Sequence, residues 1–231
     1  MSNPNSGLGR SIGFNSLLLG VFALVTSLLL ASTYLNTRDR IAEAERLSAQ
    51  SGLLELYPAT SHDNDLLDDV LPIPDSYLKT LGLRQPTDIH VVRKAGEVVG
   101  FIMPAVAPDG YSGDIDMIIG INADGTLAGV RVTRHKETPG LGDKIELRKH
   151  PWIRSFDGLG LGNPPREQWT VTKHGGIFDQ FTGATITPRA VVHKVRDALL
   201  FYSEYGDQLL TATSGGRTAD DNLARDEGEQ P

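Results

Sequence analysis

The chemistry most accessible to this sequence lies in a short turn, Thr182-Gly183-Ala184-Thr185. Small neighbours leave the approach to the Thr185 hydroxyl open, and the Thr187-Pro188 pair predicts a helix that begins within three positions of it. The first turn of a helix exposes backbone N–H groups and favours anions by about 0.3–1 kcal/mol at an exposed site. The turn therefore suits a phosphate bonded to Thr185, although a plain turn with a capping threonine explains the same residues.

The predicted helix has Thr187 as its cap and Pro188 as its first residue. Because proline has no N–H, we expect the backbone N–H groups of Arg189 and Ala190 to face such a phosphate. We expect the helix to end near Gly206. Its apolar stripe consists of Val191, Val192, Val195, Leu199 and Tyr202.

Two other glycine-rich segments give weaker signals. The segment 140–144 lacks the Gly-Lys-Ser/Thr ending of a phosphate-binding P-loop, but Pro139 and its glycines suit a tight turn that brings backbone close to a flat ligand. The segment 158–162 lacks the helix that a dinucleotide fingerprint requires, because Asn163-Pro164-Pro165 follows it. We interpret this second segment as a loop.

Composition excludes several kinds of chemistry. The 231 residues include no cysteine, which rules out disulfides, thiolate metal sites and a cysteine nucleophile, so redox chemistry would need a non-thiol cofactor. A formal net charge of −7, without a cluster of Lys and Arg, argues against nucleic acid as a partner. The six histidines show no metal-ligand spacing, and we predict no metal site.

Three blocks of the sequence resemble the FMN-binding domain family shared by RnfG and NqrC. The residues 179–185 are similar to the Asp-x-x-Ser/Thr-Gly-Ala-Thr signature read by periplasmic flavin transferases, which move the FMN portion of FAD onto the last threonine. The residues 110–113 and 135–145 are similar to the other two blocks and occur in the family's order. The resemblance extends over about residues 88–205, and it also includes the position of the N-terminal apolar segment.

The resemblance implies that FMN is held covalently, by a phosphodiester to Thr185. The flavin would then supply the redox chemistry, and no catalytic side chain is expected. Leu141 could offer an apolar face to the ring. Glu137 could lie near the flavin, or it could equally well be an ordinary carboxylate on the surface. The other cofactor-binding residues implied are Asp179, Thr182, Gly183, Ala184, Thr187, Glu137, Thr138, Gly140, Leu141 and Gly142.

An apolar segment near the N-terminus predicts a membrane anchor before this domain. Residues 11–37 form an uncharged segment of 27 residues, which is long enough for a transmembrane helix. The alternative is a cleaved signal peptide, which usually has a shorter apolar run. One arginine, Arg10, precedes the segment, and Arg38, Arg40 and Arg46 follow it, which by itself favours a cytoplasmic domain. The resemblance instead implies a cytoplasmic stretch 1–10 and a periplasmic domain at the bacterial inner membrane.

The pattern of elements predicts an α+β fold, in which a single transmembrane helix is followed by a small antiparallel sheet with flanking helices. The resemblance implies that this sheet and its helices form the FMN-binding domain. We predict two hairpins, 89–92 with 98–103 and 114–121 with 126–134. Every second residue of the second hairpin's first strand, at positions 115, 117, 119 and 121, is apolar, which indicates that one face of the strand packs on a core. The expected segments are a stalk helix with a solvated acidic loop at 38–74, the FMN-binding domain at 75–213 and a disordered acidic tail at 214–231.

The function that the resemblance implies is a membrane-anchored flavoprotein subunit of an ion-translocating Rnf-type complex, relaying electrons through FMN on Thr185. Its partners would be the A, B, C, D and E subunits of that complex, a flavin transferase and the membrane. The alternative is an anchored periplasmic ligand- or partner-binding module without a cofactor, in which Thr185 serves only as a cap. A hydrolase with a threonine nucleophile is disfavoured, because the local signature has no His or Lys to activate the hydroxyl.

Overall fold

The computed structural model of the chain describes residues 5–215, and the chain divides into two units, Met1–Ala49 and Gln50–Pro231. Residues 216–231 of the predicted acidic tail, and residues 1–4, lie outside the described residues. The predicted α+β class is confirmed, since one long apolar helix is followed by an antiparallel sheet and helices.

The first helix, α1 (Asn5–Leu56), contains the predicted apolar segment. Its stretch Phe14–Arg38 is 25 residues long, has a mean hydropathy of 2.1 and is not buried. At about 1.5 Å per residue this stretch exceeds the roughly 30 Å of a bilayer core. The hydroxyls of Thr26 and Thr33 donate to carbonyl oxygens one turn earlier, which gives these polar groups partners in apolar surroundings. The helix is therefore long and apolar enough to cross a membrane.

Five antiparallel strands form one sheet in chain order. Both predicted hairpins are confirmed, and β3 and β4 form a third that was not predicted, across Tyr111 and Ser112. The first strand is short and lies in the segment interpreted as an acidic loop. The strands are β1 (Val70–Pro72), β2 (Asp88–Lys94), β3 (Glu97–Gly110), β4 (Gly113–Asn122) and β5 (Leu127–Arg134).

Both faces of this sheet are covered. The predicted alternation along β4 is confirmed, because its four apolar positions are buried in the main core with the C-terminal helix: Ile115, Met117, Ile119 and Ile121. The opposite face packs against the end of α1 through Leu53, Leu56 and Tyr57. The Tyr57 hydroxyl donates to the Asn122 amide oxygen at 2.9 Å, and burial raises the pKa of Tyr57 well above its usual range.

The acidic segment before β2 is attached to the sheet, so its interpretation as a solvated loop is wrong at several residues. The Asp63 carboxylate accepts the N–H of Ala95 in the first hairpin turn, and Asp69 forms an ion pair with Arg93 at 2.7 Å. Leu66, between them, is buried. The acidic side chains here cap turns and pair strands.

After β5 the chain forms loops and short 3₁₀ turns, and the long helix follows. The segment 158–162 is a loop, as predicted. A short helix, α2 (Asp75–Leu78), lies between β1 and β2, and α3 (Ile186–Gly215) closes the domain. The predicted apolar stripe of α3 is buried. The 3₁₀ turns are Gly142–Ile145, Pro151–Phe156, Arg166–Gln168 and Thr172–His174.

The prediction that the long helix ends near Gly206 is wrong, because α3 continues to Gly215. A single glycine in a helix costs only about 1 kcal/mol, and Leu209, one turn further, is buried in the core. The guanidinium group of Arg93 donates to the Thr213 carbonyl oxygen at 3.3 Å, which gives a partner to one of the last backbone acceptors of the helix. Tertiary packing therefore extends the helix beyond the glycine.

Candidate functional site

Two of the three sequence blocks, and the helix start that follows the third, meet at the carboxylate of Glu137, which is only 4% exposed. One carboxylate oxygen accepts the backbone N–H of Ser112 at 3.0 Å, and the other accepts the hydroxyl of Thr187 at 2.5 Å. The β3–β4 turn, the loop after β5 and the first turn of α3 therefore converge on one side chain. The alternative of a surface carboxylate at Glu137 is wrong.

Two glycines make room for this carboxylate. A Cβ atom at Gly142 would lie 2.8 Å from Glu137 Oε2 and 2.9 Å from Thr187 Oγ1, and a Cβ at Gly110 would lie 2.9 Å from Glu137 Oε1. Neither glycine has a positive φ. Both positions therefore exclude a side chain because of close approach, rather than because of backbone conformation.

The loop after β5 makes the predicted tight turn. The Thr138 carbonyl oxygen accepts the N–H groups of Leu141 and Gly142, both at 3.1 Å, and Gly140 has a φ of +78°. The side chain of Leu141 is 42% exposed, and its Cδ2 lies 3.6 Å from the position of a Cβ at Gly183. Leu141 thus lies against the turn that carries Thr185.

The turn 182–185 leads directly into α3. Ala184 N–H donates to the Phe181 carbonyl oxygen at 3.0 Å, and Gly183 has a φ of +80°, which favours glycine. Thr185 is half-buried, and its carbonyl oxygen accepts the N–H of Arg189 at 3.4 Å. Thr185 therefore occupies the cap position of the helix.

Two predictions about this helix start are wrong as a result. Thr187 is not the cap and Pro188 is not the first residue, since α3 begins at Ile186 and the Thr187 hydroxyl is buried against Glu137. Arg189 N–H is already used inside the helix. The backbone N–H groups that precede the first helical bond belong instead to Ile186 and Thr187, and they are the available donors at the helix start.

An aromatic cluster underlies the turn: Trp152, Phe156, Trp169, Phe178 and Phe181. The rings of Trp152 and Phe181 are 5.2 Å apart, and the Trp152 indole N–H donates to the Asp179 carbonyl oxygen at 2.8 Å. The Asp179 side chain is exposed. Sequence reasoning missed this cluster, because its members alternate with loop residues and show no helical or strand period.

A charged network lies beneath the loop after β5. His135 Nδ1 accepts the Glu137 backbone N–H at 3.0 Å, and its Nε2 donates to Glu146 at 2.8 Å. Lys149 Nζ binds Asp143 at 2.9 Å and Glu146 at 3.1 Å. The hydrogen bond from Lys149, and then that from the Gly140 N–H, hold the pKa of Asp143 below its usual range.

The surroundings of Thr185 fit a flavin mononucleotide. Thr185 is half-buried and directly precedes Ile186 and Thr187, whose N–H groups lie at the positive end of a 30-residue helix, and this position suits a phosphate. Large apolar side chains stay exposed at only four described positions after Gln50: Tyr111, Leu141, Ile177 and Ile186. Three of them, Tyr111, Leu141 and Ile186, are next in sequence to residues that bind or crowd the Glu137 carboxylate, and exposed apolar side chains of this kind suit contact with a flat ring.

Comparison with protein families gives the class of this site. The family model of the FMN-binding domain matches residues 110–200, which include all three blocks. A second family model, the RnfG N-terminal region, matches residues 1–56, which include all of α1. The chain thus carries an FMN-binding domain behind an N-terminal region of the RnfG type.

Relatives narrow the class to one family. The chain is 50% identical over 201 residues to the G subunit of the ion-translocating oxidoreductase complex of Pseudomonas aeruginosa, covering 87% of this chain and 93% of that one. It is 44% identical over 203 residues to the corresponding G subunit of Shewanella piezotolerans, covering 88% and 95%. The chain belongs to the family of ion-translocating oxidoreductase complex G subunits. The crystal structure of Shewanella oneidensis NqrC aligns with 67% of this chain and 77% of its own, at 22% identity and a TM-score of 0.45.

Gly142→Ala should destabilise the domain by about 1–3 kcal/mol, because the new methyl group forces the Glu137 carboxylate and the Thr187 hydroxyl apart and breaks the buried hydrogen bond between them. Urea unfolding of the full chain in detergent, followed by the fluorescence of Trp152 and Trp169, measures the change. Gly20→Ala is the matched control, because nothing lies within 4 Å of its Cβ position. An unfolding free energy equal to that of the wild type would contradict the crowding described here.

Lys149→Met should lower the free energy of unfolding at neutral pH, and it should make the further decrease of that free energy at acidic pH less steep. Burial alone would raise the pKa of Glu146, but hydrogen bonds from His135 and Lys149 hold it below its usual range, as Lys149 does for Asp143. Carboxylates with lowered folded-state pKa values stabilise the fold above their unfolded pKa, and this stability is lost as the pH falls through the folded pKa.

Unfolding by urea between about pH 5 and pH 3 tests this, since that window spans the ordinary carboxylate pKa values. The wild type should lose stability steeply towards pH 3 and Lys149→Met more gradually. Lys136→Met, at an exposed lysine of the same loop, should follow the wild type. Equal slopes for the wild type and Lys149→Met would exclude the network as their source.

Proposed function

We propose that the chain is a membrane-anchored flavoprotein subunit that relays electrons within an Rnf-type ion-translocating complex, with FMN attached to Thr185 by a phosphodiester. One observation carries the proposal: inside the matched FMN-binding domain, Thr185 is only half-buried and immediately precedes the 30-residue helix α3. A phosphate there meets backbone N–H groups and the positive end of the helix dipole.

The neighbouring threonines are less suitable for attachment. The hydroxyl of Thr187 is fully buried and donates to Glu137. Thr182 is exposed but lies before the Gly183 turn, four residues before Ile186, the first residue of α3, and Thr138 lies in a different loop. Its partial exposure, together with the adjacent N–H groups of the helix start, supports Thr185 as the attachment residue.

Attachment exchanges one phosphate bond for another. A flavin transferase would break the phosphoanhydride bond of FAD, form the bond from Thr185 Oγ to the FMN phosphorus and release AMP, while the hydroxyl proton is lost. Once bound, FMN supplies the redox chemistry, and the chain needs no nucleophile or general base of its own.

The other residues of the site would either bind the cofactor or shape the turns around it. The N–H groups of Ile186 and Thr187 would hold the phosphate, and Leu141 would contact the ring. Asp179, Thr182, Gly183 and Ala184 form the largely exposed turn that the transferase would read. Thr138, Gly140 and Gly142 form the tight turn that places Leu141.

The cellular setting follows from the same proposal. The apolar stretch of α1 would anchor the chain in the bacterial inner membrane, with the domain in the periplasm, where a periplasmic transferase reaches Thr185. Relatives of this chain are subunits of a complex, which supports the A, B, C, D and E subunits of that complex as its partners. The arginine count around the span favours the opposite orientation, but long domains translocate largely regardless of such charges.

Thr185→Val should abolish FMN attachment, whereas Thr185→Ser should retain part of it because a hydroxyl remains. The full chain is coexpressed with a flavin transferase, denatured and inspected for flavin fluorescence on the gel band, and peptide mass spectrometry locates the adduct. Thr211→Val, at an exposed threonine near the other end of α3, is the control and should be labelled like the wild type. A colourless wild-type band would favour the cofactor-free binding module, and a labelled Thr185→Val would move the attachment site.

A fusion of alkaline phosphatase after Pro231 should be active, because this enzyme folds productively in the periplasm. A fluorescent protein that matures only in the cytoplasm should stay dark at the same position. A phosphatase fusion placed directly after Arg10, before the span, should be inactive. The reverse pattern of activities would place the domain in the cytoplasm and overturn the periplasmic assignment.

A further inference from the structure

We infer that Glu137 is a positioning residue for flavin attachment: it acts through Thr187 to hold the first turn of α3 where the Thr185 hydroxyl can react, and it does not bind the cofactor. This inference rests on the proposed attachment at Thr185. It also changes the role of Glu137, which the family resemblance places among the cofactor-binding residues.

Both oxygens of the buried carboxylate are hydrogen-bonded within the protein. Its two oxygens accept the Ser112 N–H and the Thr187 hydroxyl, and the side chain is 4% exposed. A carboxylate that already has a donor on each oxygen is a poor ligand for the hydroxyl groups or the phosphate of FMN. Its negative charge would moreover repel a phosphate at the helix start. Direct contact with the cofactor is therefore disfavoured.

The same contacts make Glu137 an effective clamp on the helix. Thr187 is the second residue of α3 and lies two residues after Thr185, so fixing its side chain fixes the turn that presents the reactive hydroxyl. The Ser112 N–H belongs to the turn between β3 and β4, and therefore the clamp is tied to the rigid sheet.

The backbone of Glu137 is held as well. Its N–H donates to His135 Nδ1 at 3.0 Å, and His135 Nε2 lies 2.8 Å from Glu146, which also binds Lys149. Because Nδ1 accepts, the proton of this imidazole lies on Nε2 and points to Glu146. Glu137 is thus fixed through its main chain on one side, and its side chain fixes α3 on the other.

This arrangement depends on hydrogen-bond geometry more than on charge. In Glu137→Gln, the amide oxygen can accept the Ser112 N–H while the amide nitrogen donates to the Thr187 hydroxyl, which then accepts. Glu137→Ala loses both bonds. On the other side of the clamp, Thr187→Ser keeps the hydroxyl and Thr187→Val removes it. The two pairs of variants separate a lost contact from a changed side chain.

The test measures initial rates of FMN attachment to the full chain in detergent, with purified flavin transferase, FAD and varied concentrations of the acceptor chain. We expect Glu137→Ala and Thr187→Val each to lower the maximal rate at least tenfold while the KM for the chain changes less than threefold. Glu137→Gln and Thr187→Ser should stay within threefold of the wild type. Glu97→Ala, at an exposed carboxylate of β3, is the control.

The double variant Glu137→Ala/Thr187→Val decides between positioning and direct binding. If Glu137 acts through Thr187, the double variant should be within threefold of the slower single variant, whereas independent roles multiply the two losses. All rates are taken below the unfolding midpoint of each variant. If Glu137→Ala does not fold, Thr187→Val, Thr187→Ser and Glu137→Gln still decide the question.

Each outcome has one meaning. A wild-type chain without FMN on Thr185 overturns the proposed function, and the inference falls with it. A labelled wild type with a normal rate in Glu137→Ala or Thr187→Val overturns the inference alone. So does a multiplicative double variant, which makes Glu137 a direct participant, or a Glu137→Gln as slow as Glu137→Ala, which makes its charge the active property.

Discussion

The hydrogen bonds of one buried carboxylate bring together segments that are far apart in the chain. Glu137 reaches a partner 25 residues earlier and another 50 residues later, and neither contact can form before the β3–β4 turn and the first turn of α3 are in place. Closing such loops costs conformational entropy that only the finished packing offsets. The surroundings of Thr185 are therefore a product of the whole domain rather than of a local motif.

The sheet provides the packing on which the contacts of Glu137 depend, because both of its faces are covered. One face buries the apolar side of α3, and the other is covered by Leu53 and Leu56 of the last turn of α1 and by Tyr57, which follows it. The chain leaves Gly100 without a side chain, and a Cβ there would overlap the Tyr57 hydroxyl oxygen. The end of α1 is thus part of the domain core, and its role is more than that of a tether.

Local patterns predicted the two hairpins and the buried stripe of α3, because strand alternation and helical periodicity are written in adjacent residues. The helix boundaries were wrong for the opposite reason. The Thr187 hydroxyl donates to the Glu137 carboxylate, fifty residues away in the chain. The helix continues past Gly206 because Leu209 is buried and Arg93 donates to the Thr213 carbonyl oxygen. The three site blocks came from a family resemblance, and neither the resemblance nor the periodicity indicated the aromatic cluster or the Lys149 network.

Helix α3 is held at both ends, at Thr187 by Glu137 and at Thr213 by Arg93. Its 30 residues form a rod of about 45 Å that is packed along the sheet between these two points. A group carried on its first turn is attached to a frame with little freedom to relax. If the flavin is attached there as proposed, charge would arrive at it and leave it with a small reorganisation of the surrounding dipoles, which would lower the barrier to each transfer.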